Sequence, residues 1–258
     1  MSSIAKKAEK IIQNALNQVG LYNGDNLLVH SDSTAVREMS GLKWADSLNL
    51  LKECFLNIIG NNGTLYVPTF NWNFCNGKPY IQEKTRSQVG MFTNNVLFDE
   101  RSRRSFHPIY SFAAIGPAAE ETFSNISASS FGEGSVFDHL YQQNVKIVLF
   151  NSYADIAFIH YVEQKKGVEY RKLKYFTGET VVNGESKIGT FDFYVRDKND
   201  QTQYNSKGLY DLLINSRKMH NIKINNHYPV SQIESREFCQ ILLDELSYNP
   251  SFLRIPKQ

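Results

Sequence analysis

Apolar positions along the chain switch between helical and strand spacing, and the switching lays out an α/β order of elements. Ile4, Ala8, Ile11, Ile12, Ala15, Leu16 and Val19 share one helical face, so a helix opened by Ser2 or Ser3 and stopped by Gly20 is expected. A short buried strand at 27–29 ends in His30-Ser31-Asp32-Ser33-Thr34. Asp46 is placed to cap a second amphipathic helix over 47–59, closed by Gly60 and the Asn61-Asn62-Gly63 turn. The next strand is TLYVPTF at 64–70, whose Pro68 puts its far end at an edge or exit. A helix at 91–98, a strand at 110–115, a helix at 118–123 and a helix from Ser135 to Gln143 lead to an apolar strand at 145–150. Beyond Arg171 the texture is β-rich, with strands at 175–182 and 187–196 joined at Asn183-Gly184, a strong hairpin signal. Helices at 208–220 and 231–246 follow, the second opened by a capping box, Ser231-x-x-Glu234. No repeat or linker interrupts this order, so residues 1–258 are expected to form one domain with a C-terminal elaboration of hairpin and helices.

Chemistry gathers where the strands end. The strand at 145–150 delivers Asp155, His160, Tyr161, Glu163 and Gln164 in quick succession, and the three-residue spacing of His160 and Glu163 makes them neighbours on a helix. An imidazole beside a carboxylate is a general-base pair, because the carboxylate fixes the tautomer and a His titrates near neutral pH. The alternative is an ordinary surface pair. His30 to Thr34 is a dense set of hydrogen-bonding groups at a strand end, the usual place for a ligand in an α/β protein, or else a Ser/Asp turn. The irregular stretch 71–88 reads as a binding loop, with Asn71, Trp72, Phe74 and Tyr80 as substrate contacts together with Asp155. Arg101, Arg103 and Arg104 form a run suited to phosphates, or to a solvated loop. Cys75 lies in the binding loop but has no base near it in sequence, which disfavours a covalent route.

Composition narrows the classes. The 258 residues are 41% hydrophobic and 21% charged, an ordinary globular balance that excludes disordered and fibrous chains. No apolar run reaches the length of a membrane span, and the N-terminus is a charged amphipathic helix, so a cytoplasmic protein is expected. Three cysteines, Cys54, Cys75 and Cys239, are too scattered for a metal site and odd in number, so they are expected as thiols with no metal. A formal charge of +2, without the extended Lys/Arg runs that mark a nucleic-acid binder, suits an anionic small ligand.

Taken in order, LLVHSDS (27–33), GTLYVPTF (63–70), SQVGMFTN (87–94), RRSFHPIYSFAAIG (103–116), FGEGSVFDHLYQ (131–142) and IHYVEQ (159–164) resemble the aminoglycoside 3-N-acetyltransferase family. The resemblance implies an α/β fold with a mixed central sheet between helices, acetyl-CoA or another acyl-CoA as donor, an amine on a sugar as acceptor, and no metal. It makes His160 and Glu163 the catalytic pair of a Thr-x-x-His-x-x-Glu motif and adds His107 at the same cleft. It also assigns coenzyme A contacts to His30, Ser31, Asp32 and Ser33, and to Arg104, Ser105, Ser111 and Phe112. Two positions depart from the family: Ala157 stands for the motif threonine, and Asp32 for the second serine of a His-Ser-Ser.

The mechanism expected is acyl transfer in which His160 takes the proton an amine loses as the amide forms, while hydroxyls and amides near Ser31 and Ser33 face the developing oxyanion. A hydrolase competes, though no Gly-x-Ser-x-Gly elbow is present. An inactive binding protein competes too, on the strength of Ala157. Within the 71–88 loop Lys78, Lys84 and Arg86 outnumber Glu83, which favours an amino sugar on a nucleotide diphosphate, as in surface-polysaccharide building, over a polycationic aminoglycoside and a role in antibiotic resistance. The partners expected are small molecules alone, with a homo-oligomer left open.

Overall fold

The computed structural model describes residues 2–153, 156–197 and 199–257. Asn26–Ser31 (β1), Thr64–Pro68 (β2) and Lys146–Phe150 (β6) are its central strands, in the spatial order β6-β1-β2 and all parallel. Two further short strands, Tyr80–Ile81 (β3) and Arg103–Arg104 (β4), precede Phe112–Ile115 (β5), and β5 and β4 continue the sheet beyond β2 in antiparallel pairing. The long strands Arg171–Val182 (β7) and Glu185–Arg196 (β8) pair with each other from end to end. Thr202–Tyr204 (β9), His220–Ile224 (β10), Tyr228–Glu234 (β11) and Arg254–Pro256 (β12) complete the strands described. β11 and β10 extend the other side of the sheet antiparallel to β6, giving a seven-stranded mixed sheet, β10-β11-β6-β1-β2-β5-β4.

Strand alternation divides the core into two layers. Leu27, Val29, Leu65, Val67, Val148 and Phe150 face one side. There they meet the apolar faces of Ser3–Gln18 (α1), Thr34–Ser40 (α2), Trp44–Ile59 (α3) and Met91–Leu97 (α4), through Ile12, Val36, Phe55 and Phe92. Leu28, Tyr66, Ile147 and Leu149 face the other. That side is covered by Ala119–Phe123 (α5), Val136–Gln142 (α6), Ile159–Lys166 (α7), Ser206–Asn215 (α8) and Ser235–Tyr248 (α9). Such period-two burial on both faces is what turns these near-continuous apolar runs into central strands.

Several boundaries differ from the sequence expectation. α3 begins at Trp44, so Asp46 lies in its first turn, where a negative charge suits the helix dipole, and does not cap it. The strand expected to 70 stops at Pro68, and the one expected from 110 begins at Phe112. Ser231 and Glu234 belong to strand β11, and α9 starts one residue later; the apparent capping box is a coincidence of spacing. α8 ends at Asn215, and His220 opens β10. The Asn183-Gly184 turn is as expected: both residues have positive φ, 50° and 82°, as a two-residue hairpin requires. No described helix is long and apolar enough to cross a membrane.

Candidate active site

The parallel strands β2, β1 and β6 end together, and a cavity of about 750 Å³ opens beyond their carboxyl ends. An open α/β sheet exposes its strand-end backbone and loops there. Pro68 from β2, His30 and Ser31 from β1, Asp32 just after it, and Asn151 after β6 form its floor. α7 brings His160, and the far wall is built by Tyr170, Arg171, Arg196 and Arg254. β7 and β8 place Arg171 and Arg196 directly opposite each other in register.

His160 and Glu163 lie one turn apart on α7, and His160 Nδ1 is 2.7 Å from Glu163 Oε2. Nδ1 being held, Nε2 is the ring nitrogen left for the cavity. The Glu163 side chain is only 2% exposed, so its charge has to be met locally. Tyr170 donates its hydroxyl to Oε1 at 2.9 Å, and Arg171 Nε lies 2.7 Å from Oε2. Burial pushes the Glu163 carboxyl up, but the His160 contact and the Arg171 charge outweigh it and leave the group below its ordinary range. Burial lowers His160, Glu163 pulls it back up, and Arg171 and Arg196 lower it again; the net direction is down. Phe131 packs on the imidazole with ring centroids 5.2 Å apart.

On the strand end, His30 Nε2 and Ser31 Oγ are buried and make no hydrogen bond. Burial lowers the His30 pKa to about 4. Asp32 accepts from the Thr34 amide and hydroxyl through Oδ1 and from Asn151 Nδ2 through Oδ2. It therefore turns the chain into α2 while its edge still faces the cavity.

Other residues singled out in the sequence lie elsewhere. His107 is 1% exposed and accepts the Ile109 and Tyr110 amides on Nδ1, so the ring is a loop brace packed on Phe191, not a wall of this cavity. Arg104 is spent internally: it donates to the carbonyls of Gln82, Thr85 and Thr69 and to Ser111 Oγ, and stacks on Tyr80. No fork remains for a phosphate. Ser111 and Ser105 are buried and bonded, Ser111 Oγ to Thr69 O and Ser105 Oγ to the Phe112 amide, and Phe112 is core. Ser33 is buried at the start of α2, outside the cavity. Arg101 pairs with Asp99 and Glu53, and Arg103 with Glu120, so the arginine run is a set of separate structural contacts. In the 71–88 loop only Trp72 lines the cavity. Asn71 braces the loop through Arg86 O and the Asn73 amide, while Phe74 and Tyr80 are buried against Phe191 and Phe106. Lys78, Lys84 and Arg86 do not line it, which removes the charge count taken from this loop. Asp155 lies outside the described residues. The FGEGS turn caps α6, with Ser135 Oγ accepting the Asp138 amide and the Gly134 amide donating to Asp138.

Sequence reasoning missed Tyr170, Arg171, Arg196 and Arg254. The Asn183-Gly184 hairpin carried a usable signal: strict pairing outward from that turn brings Arg171 opposite Arg196. Behind them, Asp200 binds both Arg196 and Arg254, and Arg254 lies 4.8 Å over the Tyr170 ring.

Comparison with known proteins places the fold in a family. The family model for aminoglycoside 3-N-acetyltransferase matches residues 28–243. The chain is 24% identical to aminoglycoside N(3)-acetyltransferase IX of Micromonospora chalcea, over 70% of this chain and 74% of that one. Its fold is similar to the crystal structure of aminoglycoside acetyltransferase AAC(3)-Xa, with a TM-score of 0.80, 14% identity, and 97% and 96% of the two chains covered. It is similar also to AAC-IIIb in its binary complex with CoASH, at TM-score 0.79, 15% identity, and 97% and 98% coverage. A complex of AAC-VIa with sisomicin aligns at TM-score 0.76, 16% identity, and 93% and 97% coverage. With the family model spanning most of its length, this chain belongs to the aminoglycoside 3-N-acetyltransferase family and is an acetyl-CoA-dependent N-acetyltransferase.

Proposed function

We propose that this protein transfers an acetyl group from acetyl-CoA to a primary amine of an amino sugar, with His160 as the general base and Glu163 as the group that orients it. The observation that carries the reading is the His160–Glu163 pair at 2.7 Å, with the imidazole on the wall of a cavity at the strand ends. An amine attacking a thioester loses a proton as the amide forms, and Nε2 of a neutral His160 takes it. His30 Nε2 and Ser31 Oγ, buried without partners, are suited to the donor side, where a hydrogen-bonding ligand would satisfy them. Ala157 lines the cavity at the position of the family threonine and offers only a methyl group. Free thiol release from acetyl-CoA tests the reading. Release that depends on an added amino sugar supports it, acceptor-independent release would mark a hydrolase, and no release with any amine would leave a binding protein.

For the acceptor, the family name and the sisomicin complex of a structural relative favour an aminoglycoside amine. A second reading, an amino sugar carrying an anionic group such as a nucleotide diphosphate, is favoured by the far wall. Arg171, Arg196 and Arg254 line the cavity there against two carboxylates, Glu163 and Asp200, so a polycation would meet a net positive charge. Comparing kcat/KM for gentamicin-like amines with that for UDP- and dTDP-linked amino sugars decides between the two. Higher values for the antibiotics than for every nucleotide sugar would discard the second reading.

A further inference from the structure

Glu163 serves more than the histidine. One buried carboxylate is shared by His160 from α7, by Tyr170 just ahead of β7 and by Arg171 on β7 itself. Arg171 is 9% exposed, and its Nη1 is anchored on the Tyr194 carbonyl at 3.0 Å. Its Nε–H is not directed at the carboxylate oxygen 2.7 Å away, so what it brings to Glu163 is charge and not a well-aligned hydrogen bond. A buried carboxylate facing an imidazole alone draws a proton onto the ring, and an imidazolium is no base. With a fixed guanidinium already balancing Glu163, a second positive charge on His160 would meet no free anion.

We propose that Arg171 is a positioning residue for the reaction: it supplies the standing charge against which Glu163 is balanced, so that His160 rests neutral, with Nδ1–H donating to Glu163 and the Nε2 lone pair turned to the cavity. The charged and titratable neighbours are consistent on every side. Glu163 comes from α7, Tyr170 and Arg171 from the entry to β7, and Tyr194 and Arg196 from β8; Arg254 of β12 covers Tyr170, and Tyr110 lines the same cavity. Of the other carboxylates, Asp32 on the cavity floor is bonded to Thr34 and Asn151, and Asp200 is taken up by Arg196 and Arg254. Glu163 is thus the anion that would charge the ring, and Arg171 the cation that prevents it.

The inference rests on His160 being the base, but its test needs neither donor nor acceptor: an NMR titration of the His160 ring in the full-length protein. Wild-type His160 is expected to titrate below an ordinary histidine. Arg171→Met and Arg171→Gln are expected to move the midpoint to higher pH, and Arg171→Lys to keep it near wild type. Glu163→Gln added to Arg171→Met should bring it back down, a reversal that a merely structural role for Arg171 would not produce. In steady state, Arg171→Gln should lower kcat/KM roughly tenfold more at pH 6 than at pH 8.5. A wild-type His160 that is protonated at neutral pH, or a folded Arg171→Gln protein titrating with wild type, overturns the proposal. Absence of acetyl transfer with these titrations as expected would instead overturn the assigned reaction.

Discussion

At the level of single residues, the difference between a base and a brace is legible in what each ring nitrogen meets. His160 has one nitrogen on Glu163 and one left for the cavity, whereas His107 spends Nδ1 on two backbone amides inside a loop. His160→Asn is therefore expected to lower kcat at least about a hundredfold with the melting temperature little changed. Glu163→Gln should cost less, since an amide still orients the ring. His107 acts on stability instead. Its folded pKa, lowered by burial to about 4, lies below the unfolded value, so the unfolded chain binds the extra proton and stability falls as pH drops from about 6.5 toward 4. Near pH 5 that amounts to about 2 kcal/mol, and chemical denaturation should show a shallower loss of stability on acidification for His107→Asn. Arg104→Met is expected to destabilise by about 2–4 kcal/mol, because the carbonyls of Gln82 and Thr85 lose their donor and the contacts to Thr69 and Ser111 go with it, while KM for acetyl-CoA stays put. A rise in that KM with unchanged stability would return Arg104 to the donor site.

Among the elements, those with strong internal periodicity or a turn signature were legible, and those defined only by their partners were not. α1, β2 and the β7–β8 hairpin announce themselves through spacing and Asn183-Gly184. β9 and β12 are three residues each and exist because they pair with one another, a contact across some fifty positions that no local pattern encodes. β11 was hidden by a polar spacing that mimics a cap, although Pro229 to Ile233 are all buried on the sheet. The same logic governs the site. His160 and Glu163 share a helix turn and could be paired from sequence, but Arg254 reaches Tyr170 only through the β12–β9 contact. The hairpin turn allows a direct check. Gly184 has φ 82°, so Gly184→Val should destabilise the ribbon by about 1–3 kcal/mol and raise hydrogen exchange along β7 and β8 ahead of the sheet.

For the whole molecule, charge is arranged by depth more than by sum. A formal +2 says little when the cavity itself carries three arginines on one wall and Asp32 with Glu163 as its described carboxylates. If an anionic acceptor uses that wall, its KM rises with added salt, whereas a polycationic acceptor gains from screening; the sign of the salt effect on acceptor KM distinguishes them.

The parallel centre of the sheet also fixes how this protein reaches its working form. β1 pairs with β6 across more than a hundred residues, and the cavity floor consists of the ends of those same strands. Contacts so distant in sequence are closed late and slowly, on a millisecond-to-second scale or longer. Helix–coil exchange within segments such as α1 and α3 is far faster, so local helix is expected to be sampled before a binding surface exists. Trp72 lies on the cavity wall and Trp44 on α3, so the two tryptophans divide the process between them. In a Trp44→Phe protein the remaining fluorescence reports cavity assembly alone, and its refolding signal should lag the gain of helical circular dichroism. A newly made chain is thus expected to sample its longer helices for some time before it has anywhere to bind a substrate.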